Sequence, residues 1–201
     1  MDKPAESNSP LHDLIAQRWS PRAFRAKPVE QALLGSLMEA ARWAPSCFNE
    51  QPWRFMVETK DNPEGFERLL NCLVPFNQSW AGKAPVLLLS VACGSFSRNG
   101  KPNRHGAYDT GMAAENLTLQ AQALGLAVHQ MGGFDADAAR AAYGIPEGFE
   151  PMAAFAVGYA GEPEDLDDGA AEKERAPRVR KPLTETFFSG KWGQPAPGTE
   201  G

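Results

Sequence analysis

Residues 40–55 read AARWAPSCFNEQPWRF, and the rest of the chain is arranged around the turn they describe. Upstream, Val29, Leu33, Leu34, Leu37, Met38 and Ala41 recur at helical spacing, with Glu30, Gln31 and Glu39 off that face, so a helix starting near Lys27, Pro28 and Val29 runs into this stretch. Pro45 stops it, because proline disfavours the helical conformation of Ala44 and has no amide hydrogen for the ladder. Ser46, Cys47, Asn49 and Gln51 then crowd a turn before Pro52, Trp53 and the apolar Phe55, Met56 and Val57. A loop rich in donors and acceptors and poor in charge suits a flat, polar-edged heterocycle. Taken alone, the spacing favours a plainer reading, a helix-to-strand connection whose amides cap the helix end.

The 201 residues, 42% hydrophobic and 22% charged, fit one globular domain with a real core. A formal net charge of -5 argues against a general binder of nucleic acid or anionic membrane, while leaving room for a local basic pocket. Cys47, Cys72 and Cys93 have neither CxxC nor metal-ligand spacing, so they suggest no disulfide framework and no zinc site, and a reducing cytoplasm is the expected location. Residues 1–10, MDKPAESNSP, are polar and read as a loose tail and not a signal peptide. The longest apolar run, residues 85–93, is too short to span a bilayer.

Leu11, Leu14 and Ile15 predict a short helix ending at Arg18. Beyond it, Arg18 and Arg22 flank Ser20 and Pro21. A guanidinium fork matches phosphate oxygens and a hydroxyl fills in between, so this triplet is chemically suited to a phosphate monoester; standing alone, it is more simply a solvated basic turn.

After the central turn, residues 54–59 suit a strand, 64–73 a modest helix and 74–85 an irregular loop. Residues 85–93, PVLLLSVAC, form a continuous apolar run bounded by Pro and Gly, hence a central strand buried on both faces. Residues 94–106 are a polar loop placed to overhang a pocket. His105 and Asp109 are too few to hold a metal and read as solvated helix-start residues. Residues 108–124 are the most helical stretch, and their alanines allow a close neighbour. A strand over 126–130 runs into MGGFD, where Gly132 and Gly133 would let backbone approach a ligand or simply turn the chain, with Asp135 capping the next helix. That helix spans 135–143, and a last strand spans 152–159. The acidic run at 162–174, EPEDLDDGAAEKE, reads as a solvated loop, and Arg178, Arg180 and Lys181 restore positive charge after it.

The blocks RWSPRAF at 18–24 and APSCFNEQPWRF at 44–55, in this order and at this distance, resemble the nitroreductase family of flavin enzymes, whose members carry an RxSxR segment and then PSxxNxQPW. A third block at 107–135, AYDTGMAAENLTLQAQALGLAVHQMGGFD, is similar to that family's central helix and following turn. The resemblance spans residues 11–193. It implies an α+β domain with a mixed, mainly antiparallel central sheet flanked by helices, in an interlocked homodimer with two flavin sites. Residues 11–193 would then form the single domain, between the tail at 1–10 and a frayed C-terminus at 194–201.

By the same resemblance, Arg18, Ser20 and Arg22 grip the phosphate of FMN, joined by Arg178 or Arg180. Pro45, Ser46 and Cys47 approach the flavin, Asn49 hydrogen-bonds a ring edge, and Met131, Gly132 and Gly133 face its N5 edge. Asn77 lies where some relatives place a further contact. No base accompanies Cys47, so a small buried thiol is favoured over a nucleophile, and His129 on its apolar strand is read as a packed core residue.

The implied activity is an FMN-dependent oxidoreductase that takes hydride from NADH or NADPH and passes electrons by a ping-pong mechanism to nitroaromatic, quinone or similar small-molecule acceptors. The empty search for a Ser/His/Asp or Cys/His constellation agrees with that, since the protein's work is to position the ring. Two alternatives stand beside it: other flavin chemistry on the same fold, such as reductive dehalogenation or flavin destruction, and a non-catalytic flavin-binding or regulatory protein.

Overall fold

The computed structural model of the chain describes residues 1–200; Gly201, the last residue of the expected frayed end, lies outside the described residues. Its centre is a four-stranded sheet of β1 (Trp53–Thr59), β2 (Val86–Cys93), β3 (Ala127–Met131) and β4 (Phe149–Gly158), in the order β1-β2-β4-β3. Every pairing in it is antiparallel. The expected mixed sheet is thus corrected to a wholly antiparallel one among the described residues, because β1 and β2, and β2 and β4, meet head to tail across long connections.

The apolar run of β2 lies between two partners, and its side chains alternate faces as a strand requires. Leu87, Leu89 and Val91 join one core with Phe66, Leu69, Trp80 and Ala139, from α3 (Pro63–Leu70), α4 (Pro75–Ala81) and α6 (Ala136–Tyr143). Val86 and Leu88 point the other way, into a core with Leu37 and Ala41 of α2 (Gln31–Arg42) and Ala113, Leu117 and Ala121 of α5 (Gly106–Ala123). The alanines of α5 do let α2 and β2 close upon it.

The second helix begins at Gln31, after residues 27–30, and ends at Arg42 before Pro45. Residues 74–85, expected to be irregular, contain α4, started by Pro75 at its first turn and burying Trp80 and Ala81. The acidic run at 162–174 is likewise ordered: it holds a capping box around Glu162 and Asp165, then α7 (Asp168–Arg175), with Ala170, Ala171 and Glu174 buried. Asp135 caps α6 by accepting from the Ala138 amide at 2.9 Å. A short helix α1 (Asp13–Gln17) precedes the Arg18–Ser20–Arg22 triplet, and the chain then meets the sheet's end through a bridge between Phe24 and Ala160. Residues 1–10 hold no regular element, yet the Ala5 amide donates to Ala16 at 2.7 Å. No helix among the described residues is long and apolar enough to cross a membrane.

Candidate functional site

Five of the expected site residues come together in one place. Arg18, Ser20, Arg22, Arg178 and Arg180 line a cavity of about 250 Å³, with Trp19, Lys3 and Lys173 completing its wall. The two ends of the chain build it: the N-terminal residues and the exit of α1 on one side, and the end of α7 with the extended chain after it on the other. Arg18 Nη1 lies 3.4 Å from Ser20 Oγ. The Arg178 guanidinium donates to the carbonyls of Lys3 and Ala16, at 2.5 and 3.0 Å, and so straps the N-terminal residues to the end of α1. Lys3 Nζ in turn donates to the carbonyls of Glu174 and Ala176, the open end of α7.

The electrostatics follow from this crowding. Burial, together with the charges of Arg18 and Arg180, pushes Arg178 below its usual pKa. Lys3 is lowered by burial in the first place, with Arg178 and Arg22 adding to the effect against the pull of Glu174. Arg22 Nε is buried without any partner. Six cationic side chains against one buried carboxylate repel each other, and an anion in the cavity would relieve that repulsion. A phosphate monoester fits this donor set.

Pro45, Ser46, Cys47 and Asn49 form a second group in the turn after α2, and none of them lines the cavity. Phe48, Asn49 and Gln51 all take left-handed φ values, of 55°, 57° and 50°. Such backbone persists only where its surroundings hold it. Here the Cys47 amide donates to Asp109 Oδ2 at 3.0 Å, and the Gln51 amide to Ser46 Oγ at 3.0 Å. Asp109 is 2% exposed, so the expectation of a solvated helix-start residue is corrected: its carboxylate faces inward and anchors this turn. The Cys47 thiol is half-buried where a buried one was expected. Pro45 and Asn49 are exposed, and Phe48 is 72% exposed. The 94–106 loop lies against the same turn: Ser97 N donates to Glu50 Oε1 at 2.6 Å, and Arg98 sits 4.3 Å from the Phe48 ring centroid.

Met131, Gly132 and Gly133 make the third group, at the end of β3. Met131 is buried in the core as a whole residue, at 3% exposure, whereas Gly132 is exposed. A Cβ at Gly133 would lie 2.6 Å from Asn77 Nδ2 and 3.0 Å from Val74 Cγ2. A side chain there would have to displace the Asn77 amide from this turn. Asn77 uses its amide on this turn, donating to the Gly133 carbonyl at 2.9 Å.

Sequence reasoning missed Lys3, Lys173, Glu174 and Asp109. Lys3 sits in a polar tail and Asp109 among residues that look like a helix start. For Glu174 one signal was present: with Ala170 and Ala171 it falls on one face at helical spacing.

The sequence profile of the nitroreductase family matches residues 15–73 and 58–159. An NADH dehydrogenase of Thermus thermophilus is 29% identical over 178 residues, covering 73% of this chain and 84% of that protein. Among solved structures, an oxidoreductase described as containing FMN superposes with a TM-score of 0.87 at 36% identity, covering 93% of this chain and 95% of that one. A nitroreductase family protein of Clostridium difficile 630 superposes with a TM-score of 0.66 at 25% identity, over 87% of this chain and 94% of that one. Matched in sequence across most of its length and in fold nearly end to end, this oxidoreductase chain belongs to the nitroreductase family.

Proposed function

We propose that the protein is an FMN-dependent oxidoreductase that draws electrons from NADH or NADPH and delivers them to a nitroaromatic, quinone or similar small acceptor, working as a homodimer. The observation that carries this reading is the cationic cavity, whose residues gather from the two ends of the chain and include Arg22, with its buried, unpartnered Nε. The FMN named for the similar oxidoreductase supports the choice of anion.

Bound FMN supplies the hydride-accepting N5 and the electron storage, chemistry that no side chain here offers. In this reading Arg18, Ser20, Arg22, Arg178 and Arg180 hold its phosphate. The turn carrying Pro45, Ser46, Cys47 and Asn49, kept rigid by Asp109, and the backbone of Met131, Gly132 and Gly133 border the ring. These two groups lie outside the phosphate cavity, which suits sites built from both copies of a dimer. A pre-set turn orients the ring without paying for that order when the ligand binds, and that is where the protein's share of the rate comes from.

The test is optical. Purified protein reconstituted with FMN is expected to show oxidised-flavin absorption bands that bleach when NADH or NADPH is added without oxygen. A protein that stays colourless after incubation with FMN would remove the cofactor reading; bands that persist with both donors would leave a flavin-binding protein without turnover.

A further inference from the structure

We infer that Glu174 is a positioning residue for the phosphate cavity: its buried carboxylate, working with His129, holds the main chain of residues 20–23 so that Ser20, Arg18 and Arg22 face the anion. The inference rests on the FMN reading above and adds to it a residue outside the cavity's wall.

Glu174 is 1% exposed and reaches the arginine turn from α7, across most of the chain. Both of its oxygens accept from the Arg22 amide, each at 2.9 Å, and Oε1 also accepts from the Ala23 amide at 3.1 Å. The Arg22 guanidinium stands 3.8 Å from Oε2. One residue earlier, the Pro21 carbonyl lies 2.9 Å from His129 Nδ1, whose ring packs against Trp80 at 4.6 Å between centroids, tilted by 40°. Successive backbone groups of the turn are therefore taken by side chains from two unrelated elements, α7 and β3. No main-chain hydrogen bond within RWSPRAF holds that shape, since Pro21 has no amide to donate and the turn belongs to no helix or strand.

The chemistry calls for a carboxylate. Two amide donors and a guanidinium charge converge on it, and an ionised carboxylate is acceptor-only, whereas an amide side chain offers one oxygen and turns an NH₂ toward donors. Its charge, however, opposes a phosphate nearby. That gives two opposite expectations. If Glu174 merely balances the surrounding cations, removing its charge strengthens phosphate binding; if it shapes the turn, removing it weakens phosphate binding.

Titration of the flavin-free protein with FMN and with riboflavin, followed by flavin fluorescence, separates these outcomes because riboflavin lacks only the phosphate. In Glu174→Gln the ratio of the riboflavin Kd to the FMN Kd is expected to fall about tenfold, the loss of one charge-assisted hydrogen bond's worth of discrimination. The riboflavin Kd itself should stay within about twofold, which a general loosening of the fold would not allow. Glu174→Asp, which keeps the charge but withdraws it by one methylene, should lower the same ratio and serves if the glutamine variant does not fold. A ratio that is unchanged or raised in a folded variant overturns the inference alone. A wild-type protein with no preference for FMN over riboflavin overturns the phosphate reading and this inference together.

Discussion

At His129 burial decides the protonation state. The ring is packed on Trp80 and faces the Pro21 carbonyl through Nδ1, and burial pulls its pKa down to about 4, with the nearby Arg22 and Arg18 acting in the same direction. Unfolded, it titrates near 6.5, so between these values the unfolded chain binds a proton that the native one does not. Stability therefore falls as the pH drops through this window and levels off below it, by roughly 3 kcal/mol. Urea unfolding of wild type and His129→Gln at pH 7, 5.5 and 4 checks this. The stability difference between the two should shrink toward acid, and a pH-independent difference would contradict the buried, neutral imidazole. Reading His129 as a packed residue followed from one polar side chain on an apolar strand; its tie to the arginine turn did not, because 108 residues separate the partners.

Among the elements, α5 shows how tightly the site's scaffold is set. Its first residue, Gly106, lies against β2, and a Cβ there would stand 2.3 Å from the Cys93 carbonyl oxygen. The clash is with backbone, so it cannot be relieved by rotating a side chain. Gly106→Ala is expected to cost roughly 3 kcal/mol despite alanine's better helix propensity, seen as a lower urea midpoint at unchanged slope. It should also disturb the turn at residues 46–51, since Asp109, one turn further along the helix, holds the Cys47 amide. The long helix, the buried central strand and the cap at Asp135 are visible in local pattern, because periodicity and capping chemistry are properties of neighbours in sequence. The short helices α4 and α7 escape that logic. PFNQSWA is too brief to show a period, and the buried face of α7 consists of two alanines and a glutamate, which carry little apolar signal. Both helices form because tertiary packing rewards them.

For the molecule as a whole, the surface left by one chain carries large apolar side chains. Trp43, Tyr108, Phe187 and Trp192 are exposed, the last at 93%, and Ile15 and Met38 add to them. Water does not favour such surface, and the proposed homodimer would cover it. Sedimentation equilibrium is expected to return about twice the 21.8 kDa chain mass at micromolar concentration; a monomer mass there would refute the shared-site arrangement. The sequence by itself determined the family resemblance, the sheet-and-helix class and the positions of the Arg18–Ser20–Arg22 triplet, the polar turn and the glycine pair, because each is written in contiguous residues whose chemistry is local. Only the tertiary structure decided that the sheet is wholly antiparallel, that Lys3 and Lys173 share the cavity with the triplet, and that Glu174 and Asp109 hold the two turns from within. Those depend on which distant segments meet, and a buried carboxylate is spelled in the chain like any solvated one.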